Sequence, residues 1–389
     1  MTEPRSSTDV VIVGGGVIGL AIGWRLQRRG LRAIVVDRAV SLGEATTRVA
    51  AGMIAPIAEA APKEPAVLAL SRASAQLYPS FVEELIAEGG IDPGYRRCGT
   101  LLVARDADEA AALDREHAFR RSLDLPVARL RASEARALEP ALAPTLRLAL
   151  EIPDDHAIDP RALARALSQA FARAGGEAWL RSEVGEVICD DDRVRGVRLV
   201  GGGEIEADHV VVAAGPWSGE VPGLPEPARV PMRPVKGQSL GLRDPAGPGL
   251  LQRVIRMQPG YIVPRGDGRY VLGATMEERG FDTTVTAGAV FELLRDAIEL
   301  VPGVGEWVIE ELMAGTRPGT PDNAPIIGRG VLEGLYWATG HYRHGILLTP
   351  LTAELVAAGL AGEAVPELAL TCDPTRFAPV VRAQRSVRA

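Results

Sequence analysis

Excess positive charge, long apolar runs, cysteine and histidine are all scarce in this chain of 389 residues. Lysine and arginine number 43 against 50 aspartates and glutamates, a formal net charge of −7. Nucleic acid and anionic membrane surfaces are gripped through basic patches, so neither is expected as a partner. No uninterrupted apolar run reaches the ~20 residues of a membrane-spanning helix. The run from Val10 to Ile22 follows an acid and is broken by four glycines, which argues against a secretory signal peptide. Cys98, Cys189 and Cys372 lie far apart. They offer no disulfide framework and point to a reducing, cytoplasmic setting. None of the five histidines is spaced with cysteine or carboxylate as a metal set requires. His341 and His344 stand three apart in a glycine-flanked turn, and no metal is expected. What remains, 47% apolar and 24% charged residues, is the balance of a globular enzyme. The length suits about two domains at roughly 150 residues each.

Against these absences stands one strong pattern. Asp9-Val-Val-Ile-Val13 reads as a buried strand, and Gly14-Gly-Gly16-Val-Ile-Gly19 turns it into a helix. Gly14 permits the tight turn, Gly16 lets a pyrophosphate approach the backbone, and Gly19 lets the helix lie close on the strand. Phosphates would then meet the unpaired N–H groups of the helix N-terminus. A second strand, Ala33-Ile-Val-Val36, ends in Asp37, placed to take a ribose hydroxyl. With 43 glycines in the chain, the glycine spacing alone is weak. Strand, turn, helix, strand and acid in order make a dinucleotide-binding βαβ unit.

Further along, residues 46–53 show no helical or strand period and suit backbone passing close to a ligand. A helix is expected over 66–87 with a break at Pro79, a strand over 99–103, and a solvated helix over 106–121. Asp159-Pro160 is a helix start, with Gly175-Gly176 as its stop. Short strands follow near 178–180, 185–189 and 194–200, with Asp190-Asp-Asp192 as a solvated turn. The buried strand His209-Val-Val-Val212 ends in Ala213-Ala-Gly215, repeating the strand-then-small-residue pattern of the N-terminus. Residues 260–273 read as a hairpin, 290–301 as a helix, and Thr316-Arg-Pro-Gly-Thr320 as a turn. The strand 335–338 delivers Thr339-Gly340 into a second glycine turn and a helix over 349–359. Its N-terminal dipole would favour negative charge on the edge of a reduced flavin ring. The expected fold is α/β: a discontinuous Rossmann-like domain (1–84, 151–230 and 316–389) with an α+β substrate domain on a mixed or antiparallel sheet (85–150 and 231–315).

Several segments carry a more specific resemblance. They are the glycine turn, Ala50-Ala-Gly-Met53, Val212-Ala-Ala-Gly-Pro-Trp-Ser-Gly219 and Pro234-Val-Lys-Gly237. Tyr261-Ile-Val-Pro-Arg265, Gly273-Ala-Thr-Met276, Gly315-Thr-Arg-Pro-Gly-Thr320 and Gly340-His-Tyr-Arg-His-Gly345 complete a specific signature. From Val10 to about Pro350 the chain resembles the D-amino-acid oxidase family of flavoproteins. The resemblance implies FAD, bound noncovalently because no cysteine adjoins Arg317 or the 340s turn. It implies oxidative deamination of glycine, or of small amines such as sarcosine and D-alanine, by hydride transfer to flavin N5. Oxygen would be reduced to hydrogen peroxide, with a 2-oxo acid and ammonia as products. A homotetramer and a role in thiamine thiazole synthesis follow from the same resemblance.

For the substrate, it assigns Arg317 and Tyr261 to the carboxylate, and Arg343 and Met276 to the pocket. For FAD, it assigns Gly14, Gly16, Val17, Ile18, Gly19, Asp37 and Arg38 in the first βαβ unit. Thr46, Thr47, Ala51, Gly52 and Met53 follow, Met53 near the flavin ring, with Val184 at the adenine through its backbone. Ala214, Gly215 and Trp217, and then His341, Arg343, His344, Gly345 and Ile346, complete the set. The chain departs from the pattern at Asp37, where relatives often carry glutamate, and at His344, where asparagine is familiar. It departs again at Pro259-Gly260, where a histidine lies nearby in a relative. Two other readings stay open: a D-amino-acid or sarcosine oxidase or dehydrogenase, and a flavin-binding subunit without turnover.

Overall fold

A computed structural model describes residues 5–377. The strand Arg5–Val13 lies centrally in the first sheet, whose order is Ile326–Arg329, Leu335–Thr339, Glu204–Val212, Arg5–Val13, Ala33–Val36, Glu177–Trp179. All neighbours in this row are parallel except the outermost pair of Ile326–Arg329 and Leu335–Thr339. Val184–Asp190 and Arg193–Leu199 add an antiparallel hairpin. Val10, Val11, Ile12, Val35 and Val211 have no exposed surface. A parallel sheet covered on both faces produces such continuous apolar strands. The register pairs Val13 with both Val36 and Val212, and Val212 with Trp337. The strand ends therefore deliver Gly14, Asp37, Ala213 and Gly340 to one edge, where ligands bind in open α/β sheets.

Four helices pack together on one face: Val17–Arg28, Pro65–Gly89, Pro160–Arg173 and Thr349–Leu360. Trp24, Leu85, Phe171 and Val356 belong to their shared core. Asp159 caps Pro160–Arg173 through the N–H groups of Arg161 and Ala162, as its position before proline requires. The expected break at Pro79 does not occur, and the helix runs unbroken over 25 residues. Burial overrides the missing N–H: Leu70 and Ser74 before the proline, and Phe81 and Leu85 after it, are fully or almost fully enclosed. Residues 46–53 also differ from expectation. Thr46–Val49 forms one helical turn, and Met53–Ile54 pairs with His156–Ala157.

The second sheet runs Val308–Gly319, Arg233–Arg243, Arg269–Gly273, Tyr261–Pro264, Val254–Arg256, Thr100–Ala104, Leu148–Ile152, Ala128–Arg131. It is antiparallel except where Val254–Arg256 meets Thr100–Ala104. The hairpin expected at 260–273 is present, with strands Tyr261–Pro264 and Arg269–Gly273. Three expected boundaries, 84/85, 150/151 and 315/316, fall inside the helix Pro65–Gly89 and the strands Leu148–Ile152 and Val308–Gly319. Residues 1–4 and 378–389 of the expected FAD domain lie outside the described residues. Among the described residues, no helix is long and apolar enough to cross a membrane. None of them forms a group of three or more histidine, cysteine, aspartate or glutamate side chains able to hold a metal.

Candidate active site

A cavity of about 540 Å³ begins at the glycine turn of the first sheet and ends against the second sheet. At Gly14, φ is +117°, and an added Cβ would lie 2.4 Å from the carbonyl oxygen of Ala213. Only glycine fits there. Gly16 caps the first helix without a side chain, so Val17 and Ile18 face the cavity across an open helix N-terminus. Gly19 does not line the cavity. A Cβ on it would stand 2.0 Å from the Gly14 carbonyl oxygen, so it serves the close strand–helix contact underneath. Asp37 lines the cavity, and its carboxylate also braces the turn. One oxygen accepts from the Gly15 N–H at 2.6 Å and the other from Ala39 at 2.8 Å.

The other expected cofactor residues gather along the same cavity. Thr47 Oγ1 accepts from the Val17 N–H at 3.3 Å, and Thr46 Oγ1 donates to the Thr316 carbonyl at 2.8 Å. Thr46 thereby ties the cradle to the second sheet. Ala51, Gly52, Met53, Val184, Ala214 and Gly215 all face the cavity. Trp217 does so with the Arg38 guanidinium 4.4 Å from its ring and Phe281 stacked on it. Thr339 Oγ1 donates to the Gly215 carbonyl at 3.0 Å, which locks together the ends of two strands.

The turn after Gly340 brings His341, Arg343, His344, Gly345 and Ile346 to the cavity wall. His341 Nε2 is shared with Thr352 Oγ1 at 2.9 Å, and burial pushes its pKa down to about 3. His344 is 4% exposed. Burial, opposed by Glu59 and Glu64 and assisted by Arg343 and Arg256, pushes it down to about 4. Its Nε2 is buried with no partner in the protein. A neutral imidazole nitrogen left unpaired at a cavity wall calls for a ligand atom.

At the far end lies Arg317. The Arg-Pro-Gly segment expected as a turn is instead the end of the strand Val308–Gly319, with Arg317 opposite Val235. This strand is the sheet edge, where a proline costs no ladder bond. Arg317 Nη1 donates to the carbonyls of Lys236 and Thr275 at 3.3 and 3.2 Å. Among the described residues it has no carboxylate partner. Tyr261 lies beside it. Burial raises the Tyr261 phenol and Arg317 opposes the rise, so the hydroxyl stays protonated. Met276 lines the cavity but is 60% exposed. It therefore stands at the mouth, its sulfur accepting from the Tyr342 hydroxyl at 3.2 Å.

Arg343 is occupied. Its Nε lies 3.0 Å from Glu59 Oε2 and its Nη2 lies 2.9 Å from Glu64 Oε2. Glu59 also pairs with Arg256 at 3.0 Å. Burial raises the Glu59 carboxyl, but Arg256, His344, Arg343 and Arg317 more than offset this and hold it below its ordinary range. Glu59 and Arg256 were not expected from sequence. The one local signal is an arginine at the end of the apolar strand Val254–Arg256.

A parallel sheet with a glycine cradle, opening into a chamber with an unpaired arginine, defines an oxidoreductase that works with a bound dinucleotide. Over residues 9–358 the chain matches the family described as FAD dependent oxidoreductase, and it belongs to that family. FAD is the family's cofactor, and the residues present fit it: a cradle that a Cβ at Gly14 would fill, and an unpaired His344 Nε2. The glycine oxidase of Geobacillus kaustophilus is 38% identical over 90% of this chain and 92% of its own. Its crystal structure superposes with a TM-score of 0.88 at 35% identity, covering 95% of this chain and 99% of that one. A bifunctional protein ThiO/ThiG of Synechocystis is 36% identical over 96% of this chain. The chain spans about half of that relative's length (54%).

Proposed function

We propose that this protein oxidises glycine, and small amines close to it, to a 2-oxo acid and ammonia. Arg317 carries this reading: it is the one arginine of the cavity without an ion pair among the described residues. A planar guanidinium with free N–H groups grips a carboxylate through two parallel hydrogen bonds. The protonated Tyr261 hydroxyl adds a third donor. Bound FAD supplies the chemistry by taking two electrons and a hydrogen from the substrate α-carbon. The protein's own part is to hold that carbon in place, and such alignment can contribute ~7–11 kcal/mol. Met276 stands at the rim, its sulfur held by the buried Tyr342 hydroxyl. The first sheet holds the cofactor, and the second supplies the substrate wall. Oxygen takes up the electrons as hydrogen peroxide. The names of the relatives support glycine as substrate and a place in thiamine synthesis. Cytoplasmic location and a homotetramer complete the reading.

The test is an anaerobic visible spectrum of the purified protein before and after glycine. A flavin spectrum that glycine bleaches is the expected outcome. A flavin that sarcosine or D-alanine bleaches and glycine does not would reassign the substrate. A flavin bleached by none of the three would remove the enzyme reading.

A further inference from the structure

Three arginines, Arg256, Arg317 and Arg343, face one chamber, and only Arg317 lacks a carboxylate partner among the described residues. The two oxygens of Glu59 are divided between the other two. Oε1 lies 3.0 Å from Arg256 Nη1, and Oε2 lies 3.0 Å from Arg343 Nε. Arg343 turns its Nη2 to Glu64, whose other oxygen accepts from Asn323 Nδ2 at 2.8 Å. Two positive and two negative charges cancel, and Arg317 leaves the chamber with one net positive charge. That matches a substrate with one carboxylate.

Both Glu59 oxygens are taken by arginines, and the backbone that carries it is held on both sides. Asp155 accepts from the N–H groups of Ile57 and Ala58 at 3.1 and 2.8 Å. Arg120 donates to both of their carbonyls, and Arg256 donates to that of Ala58 at 2.7 Å. A second anionic group entering the chamber would meet a fixed carboxylate and two arginines already occupied. Repulsion and unpaired charge of this kind reject a competitor more strongly than lost contacts do.

Resting on the proposed function above, we infer that Glu59 is the residue that restricts this enzyme to amino acids with a single carboxylate. It does so by neutralising Arg256 and Arg343. Without it, those arginines accept a second carboxylate on the substrate nitrogen or side chain. Iminodiacetate is the probe. Its turnover breaks one α-C–H bond and then, by hydrolysis of the imine, one C–N bond. Iminodiacetate, oxygen and water give glycine, glyoxylate and hydrogen peroxide, with oxygen taking the two electrons.

The experiment compares kcat/KM for iminodiacetate and glycine in wild type, Glu59→Gln and Glu59→Gln/Arg256→Met holoenzymes. The ratio of iminodiacetate to glycine rises at least tenfold in Glu59→Gln, chiefly through KM for iminodiacetate. The double variant loses that gain. An unchanged ratio in a Glu59→Gln enzyme that glycine still bleaches overturns the inference. So does a gain that survives loss of Arg256. Wild type that glycine fails to bleach overturns the proposed function and takes this inference with it. If Glu59→Gln does not load FAD, Glu64→Gln releases one hand of Arg343 and must raise the ratio at least threefold; no rise there also overturns it.

Discussion

A methyl group at Gly237 would stand 2.5 to 2.7 Å from three atoms of the Arg317 guanidinium. The guanidinium is the mobile end of a long side chain, so it yields and the strand does not. Gly237→Ala should therefore fold and bind FAD as wild type does, while its arginine is displaced. KM for glycine should rise and kcat fall, with kcat/KM lower by about 10–100-fold, or roughly 1.4–2.7 kcal/mol. Steady-state kinetics beside Arg317→Ala, which should lose more, checks this. Wild-type kinetics in Gly237→Ala would show that the position of Arg317 does not matter. The cradle was legible in sequence because its glycines act on their immediate neighbours, and Gly14, Gly16 and Asp37 stand where their spacing put them. Glu59 and Arg256 were not. Their meaning exists only where residues 59, 256 and 343 meet, and no local period records that meeting. For the same reason the occupation of Arg343 by two carboxylates could not be read ahead of the fold.

At the scale of elements, the misread segments are those where proline or glycine suggested an interruption that packing overrules. Arg-Pro-Gly in 317–319 spells a turn by composition, yet an edge strand tolerates it. Pro79 spells a break, yet its helix is anchored on both sides. Ser74 Oγ donates to the Leu347 carbonyl at 2.6 Å, and the Tyr78 hydroxyl donates to that of Ile346. The helix thus supports the 340s turn from behind. An interior proline costs ~3 kcal/mol in an isolated helix, and it returns up to ~1 kcal/mol by stiffening the unfolded chain. Pro79→Ala should therefore stabilise the protein by about 1–2 kcal/mol. Urea unfolding should show a higher midpoint with unchanged slope. A lower midpoint would mean that the helix needs the proline to meet residues 346–347. By contrast, the strands of the first sheet and the helix at Pro160 were legible, because apolar runs and a cap–proline pair act within a few residues.

For the whole molecule, the segment that precedes Glu59 is tied to the second sheet through Arg256, and Asp155 holds it. This carboxyl has no exposed surface. Burial raises its pKa to about 7, against the pull of the Ala58 and Ile57 N–H groups and of Arg256, with Glu59 adding to the rise. A group raised from 3.8 when folded binds its proton more tightly than the unfolded chain does. Its contribution is complete below pH 3.8 and is lost as pH climbs through 7. His341 and His344 act in the opposite sense. Held at about 3 and 4 against an ordinary 6.5, they contribute fully above pH 6.5 and lose that contribution as pH falls toward 4 and 3. The histidines thus weaken the fold as pH falls below 6.5, and Asp155 weakens it as pH climbs from 3.8 to about 7. Asp155→Asn removes the second and leaves the first. Relative to this variant, wild type should lose on the order of 2 kcal/mol between pH 5 and pH 8. Urea midpoints at the two pH values measure the difference. A gap between wild type and variant that stays constant would mean Asp155 is ionised throughout, with its N–H donors and Arg256 outweighing burial.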